Sequence, residues 1–97
     1  MKSNEEKYVR VGKGQKIGLG TEAEFELAAR DIFDFTGGSS LQGAMSMLWG
    51  FLDGNSLRLS AERASAVALE ALEFQNRFGK QLSPRANKLL TVLAAMA

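Results

Sequence analysis

Five carboxylates, Glu22, Glu24, Glu26, Asp31 and Asp34, are the side chains whose types and spacing come nearest to acid–base or metal chemistry. Glu22 and Glu26 are one helical turn apart and share a face. The sequence contains no histidine and no cysteine. The commonest general base and metal ligand is therefore missing, as are thiolate nucleophiles, disulfides and cysteine-based zinc sites. The serines have no imidazole to activate them. Helix capping and solvation account for the acidic residues, so no catalytic residue, no metal site and no cofactor is expected, and the chain is not expected to be an enzyme.

Phosphate is the other chemistry to weigh. Gly12, Gly14, Gly18 and Gly20 form a glycine-rich run. The run lacks the two glycines five apart, followed by Lys and Ser or Thr, of a nucleotide-binding loop, and it lacks the dinucleotide spacing. Its glycines fit turns and flexible strand. Charge is more telling. The chain has 12 Lys+Arg against 11 Asp+Glu, a net of +1, but the charges are segregated. Residues 1–20 carry five basic and two acidic groups, while residues 21–56 carry one basic and six acidic. Residues 57–97 carry six basic and three acidic. Arg10, Lys13 and Lys16 thus belong to a basic segment suited to phosphate or to an acidic partner.

The elements that must position these residues follow from periodicity. Residues 1–7 look frayed. Tyr8–Val11 alternates apolar with polar and reads as a short strand or extended arm, and Gln15–Gly20 alternates again with Ile17 and Leu19 on one face. The two segments can pair as a hairpin around Gly12–Gly14, or the second can pair with a partner chain. Thr21, Glu22, Ala23 and Glu24 make a capping box, and a first helix is expected from Glu22 to Phe35. Its apolar stripe is Phe25, Ala28, Ala29, Ile32 and Phe35.

Gly37 and Gly38 end that helix, and Ser39 or Ser40 caps a second one over residues 41–52. Met45, Leu48, Trp49 and Phe51 make the second helix apolar around most of its circumference. Residues 53–56 read as a loop. Ser60 caps a third helix over 61–78, with Ala64, Val67, Ala68, Ala71, Leu72, Gln75 and Phe78 inward. Ser83 and Pro84 open a fourth, striped by Leu89, Leu90, Leu93 and Met96.

A basic strand leading into a capped helix, a glycine turn, and a second helix opened by Ser39 and Ser40 resembles the ribbon-helix-helix DNA-binding domains. The resemblance covers residues 15–52. It implies that two chains pair their strands into an antiparallel ribbon that enters the major groove. Amides at Ser39 and Ser40 would then hold a phosphate, as a helix N-terminus can. Ile17 and Leu19 would face the core, with Gln15, Lys16, Gly18 and Gly20 towards the bases. Glycines read no base edge, so the binding implied is tolerant of sequence.

The expected architecture is mainly α. A flexible basic arm over residues 1–14 precedes a single helical domain over 15–97, with a short N-terminal strand or ribbon followed by four helices in an intertwined homodimer. The expected function is accessory or regulatory DNA binding through Arg10, Lys13, Gln15, Lys16, Ser39 and Ser40. Ile17, Leu19, Met45, Leu48, Trp49 and Phe51 form the dimer or partner interface. The alternative is a small helical protein-interaction module, a phage-type inhibitor or assembly adaptor, that binds another protein and no DNA. No membrane partner is expected. The uncharged run from Phe35 to Leu52 is too polar to span a bilayer, and a cytoplasmic protein is the default.

Overall fold

The computed structural model describes residues 6–12, 14–36 and 56–96. In chain order these form β1 (Glu6–Val11), β2 (Gln15–Thr21), α1 (Glu22–Thr36), β3 (Ser56–Leu59), α2 (Ala61–Phe78), a 3-10 turn (Gly79–Gln81) and α3 (Pro84–Ala94). The expectation of one strand or ribbon followed by four helices is therefore corrected. Among the described residues the fold is mainly α, with three α-helices, but it is built on a three-stranded sheet. The helix expected over residues 41–52, with Met45, Leu48, Trp49 and Phe51, lies outside the described residues, as do Lys13, Ser39 and Ser40.

The sheet order is β2-β1-β3. β1 pairs antiparallel with β2, placing Val9 opposite Ile17 and Arg10 opposite Lys16. It pairs in parallel with β3, placing Val9 opposite Leu57 and Arg10 opposite Arg58. Tyr8–Val11, read above as a short strand or extended arm, is thus part of the central strand, which begins at Glu6 within the stretch read as frayed. β2 pairs with β1 of its own chain as a hairpin, one of the two pairings expected, and lies at an edge of the sheet. Gly12 opens the connection at φ +60°, a conformation that a side chain disfavours, and its amide donates to the Leu59 carbonyl at 3.2 Å. The β1–β2 register shifts between Lys7 and Tyr8, so Leu19 is bulged out and Gly20 adopts φ +85°.

The capping box forms as the sequence implies. The Thr21 amide donates to Glu24 Oε1 at 3.0 Å, and the Glu24 amide donates to Thr21 Oγ1 at 3.2 Å. Ser60 Oγ accepts from the Arg63 amide at 3.1 Å and Ser83 Oγ from the Ala86 amide at 3.3 Å, so all three helices start where a hydroxyl meets an orphan donor. Val9, Val11, Leu19 and Leu59 of the sheet join Phe25, Ala28, Ala29 and Ile32 of α1 in one core. Ala64, Val67, Ala71 and Phe74 of α2 and Leu89, Leu90 and Leu93 of α3 complete it, with Met96. Two stripe assignments are corrected: Phe35 stays 40% exposed and Leu72 45%. Phe74, one helical turn from Ala71 and Phe78, is buried in place of Leu72.

Candidate nucleic-acid interface

Strand alternation sorts the sheet residues. Val9, Val11, Leu19 and Leu59 point into the core, and Ile17 packs against it. Arg10, Lys16 and Arg58 are exposed on the other side. Because Arg10 is in register with Lys16 on β2 and with Arg58 on β3, the three cations form a row across the sheet. Neighbouring strands are about 4.8 Å apart, so the row spans ~10 Å at the backbone. Like charges in such cross-strand positions repel. None of the three makes an ion pair among the described residues, whereas Arg30 pairs with Glu26 at 3.7 Å and Arg85 with Asp31 at 2.6 Å.

Tyr8 stands on the same face, two residues before Arg10, in register with Gly18 on one side and Ser56 on the other. The Lys16 ammonium lies 3.8 Å from the centroid of the Tyr8 ring, a cation–π contact. Gly18 lies beneath the Glu6 side chain: a Cβ there would meet Glu6 Oε1 at 2.5 Å, with Tyr8 Cδ1 at 3.9 Å. Glu6 is the acidic residue of this face, and its carboxylate lies over Gly18 beside Tyr8. The face therefore combines three cations, a half-buried ring and one carboxylate.

Of the sequence-proposed phosphate contacts, the structure brings Arg10 and Lys16 together, while Gln15 is an exposed residue at the start of β2, opposite Val11. Ile17 and Leu19, proposed for a subunit interface, pack into the core of their own chain. Arg58 was missed. Its signal is the alternation Leu57, Arg58, Leu59, the same pattern that marks Tyr8–Val11 but with fewer residues.

The carboxylates hold the fold together. Glu24 closes the capping box, and the hydrogen bonds from Thr21, helped by the charge of Lys88, keep its carboxyl below the ordinary range. Asp31 accepts from Arg85 Nε at 2.6 Å and from Ser83 Oγ at 2.5 Å, tying α1 to the start of α3. The Arg85 guanidinium first, and the Ser83 hydroxyl second, lower its pKa. Among the described residues no three acidic side chains gather as a metal site, and no helix is long and apolar enough to cross a membrane.

An open groove of about 600 Å³ runs between β2, α1 and α3, where Leu19, Phe25, Leu27 and Val92 meet Glu24 and Lys88. Glu6 and Gly18 line it as well, and its charges are of both signs. No family model, curated protein or solved structure matches this chain. The fold is that of a small mixed α/β domain, and its function rests on what the sheet face can hold.

Proposed function

We propose that the chain is an accessory or regulatory nucleic-acid-binding module, without catalytic activity, that holds phosphate on the sheet face. The observation that supports this is the cross-strand row of Lys16, Arg10 and Arg58, exposed and without ion-pair partners among the described residues. Three cations repelling one another across about 10 Å are relieved when phosphates come between them. Their long side chains reach a backbone without demanding one exact path. Release of condensed counterions then drives association. The glycines of β2 present no hydrogen-bonding side chain to a base edge, so the reading is one of sequence-tolerant binding.

The test is an anisotropy titration of a labelled oligonucleotide at several salt concentrations. Affinity should fall steeply with salt. Combining Arg10→Ala, Lys16→Ala and Arg58→Ala should flatten the slope of log affinity against log salt by roughly 2 to 3, about 0.7–0.9 for each lost contact. Absence of salt-sensitive binding in the unsubstituted protein defeats the proposal. A second reading, a protein-interaction module, is favoured by Leu69 and Leu72, 63% and 45% exposed on one side of α2. It predicts that the triple variant keeps its partner while Leu69→Lys loses it.

A further inference from the structure

Resting on that reading, we infer that the nucleic acid is single-stranded and that Tyr8 is the platform on which one of its bases stacks. Two features of the face point there. Tyr8 lies on the central strand, on the row's own side of the sheet, two residues from Arg10. Its ring already holds a cation, the Lys16 ammonium at 3.8 Å from the centroid.

That contact is exchangeable. An incoming phosphate draws the Lys16 ammonium to itself, because a full anionic charge attracts it more strongly than a ring quadrupole does. The vacated ring face then accepts a base, whose π-system stacks on tyrosine whatever its sequence. One movement of Lys16 thus couples phosphate capture to base stacking. The Glu6 carboxylate, which lies over Gly18 beside Tyr8, repels the phosphate backbone and keeps it over the row.

A duplex does not fit this arrangement. The major groove is about 12 Å wide and admits an α-helix or a two-stranded ribbon. Three strands already span ~10 Å between their outer axes, before side chains are added. A duplex can rest phosphates on the row from outside, but its bases stay paired and stacked, away from Tyr8. A single strand can lay its backbone across the cations and turn a base down.

The experiment compares three labelled probes on the full chain at low salt: a short oligothymidylate, its abasic counterpart, and a duplex of equal length. The oligothymidylate should bind about tenfold more tightly than the abasic strand, the scale of one stacked base, and more tightly than the duplex. Tyr8→Leu should lose about tenfold on the oligothymidylate and little on the abasic strand or duplex, while Tyr8→Phe retains binding. The abasic comparison uses the unsubstituted protein, so it stands even if Tyr8→Leu folds poorly. Equal affinity for the thymidylate and abasic strands overturns the stacking inference, and so does a duplex preference. In both cases the phosphate reading survives. Failure to bind any probe in a salt-sensitive way overturns both.

Discussion

Replacing Arg10 by threonine should make the protein more stable and bind less well. Arg10 is in register with Lys16 on one side and Arg58 on the other, and all three side chains are exposed. Each like-charged cross-strand pair destabilises by roughly 0.2–1 kcal/mol. Relieving two such pairs should therefore raise stability by about 0.5–1.5 kcal/mol at low salt. With a denaturant slope of about 1 kcal/mol per molar urea for a chain this small, the midpoint moves up by ~0.5–1.5 M. Threonine adds its own preference for strand, so salt is needed to separate the two effects. Near 1 M salt the screening length is about 3 Å, and the electrostatic part should vanish while the propensity part remains. Urea melts followed by circular dichroism, at low and high salt, read both. Loss of stability at low salt, or a gain indifferent to salt, would refute the reasoning. Oligonucleotide affinity should meanwhile fall, the pattern of a residue kept for function at the expense of stability.

Three other perturbations test the supporting contacts. Thr21→Ala removes the hydroxyl that caps α1 and accepts from the Glu24 amide, and should lower stability by roughly 0.5–2 kcal/mol in a urea melt. Asp31 has its pKa lowered from an ordinary 3.8 by Arg85 and Ser83; a depressed carboxyl contributes stability above its unfolded value that is lost as pH falls through its folded value. Wild type and Asp31→Asn should therefore differ most near neutral pH and converge below pH 3.8, which urea midpoints across the acid limb will show. Glu6→Gln removes the carboxylate from the basic face and should tighten oligonucleotide binding about twofold at low salt, on the scale of one screened charge several ångströms away. An unchanged or weaker affinity would place the nucleic acid elsewhere.

Much of the fold was legible because local chemistry decides it. Thr21 with Glu24, Ser60, and Ser83 with Pro84 mark helix starts that the structure reproduces. The stripes Phe25, Ala28, Ala29, Ile32 and Leu89, Leu90, Leu93 mark buried faces. Legibility fails where pairing is distant. β3 is four residues long and joins β1 in parallel across more than forty intervening residues, so no turn signal announces it. With β3 unseen, Arg58 had no place beside Arg10, and the basic row showed only two of its members. The pattern of Gln15–Gly20 was equally compatible with a ribbon between chains and a hairpin within one, since strand periodicity does not say which backbone lies alongside. The exposed Leu72 and buried Phe74 show the same limit in a helix, where two faces were both apolar enough to choose.

The most direct test of the central claim is an amide chemical-shift map of the labelled protein titrated with a short single-stranded oligonucleotide. The account predicts that the largest changes fall on Tyr8–Arg10 of β1, Lys16–Gly18 of β2 and Arg58 of β3, with the exposed side of α2 around Leu69 and Leu72 left unmoved. Changes centred on α2, or none on the sheet at saturating oligonucleotide, would contradict it.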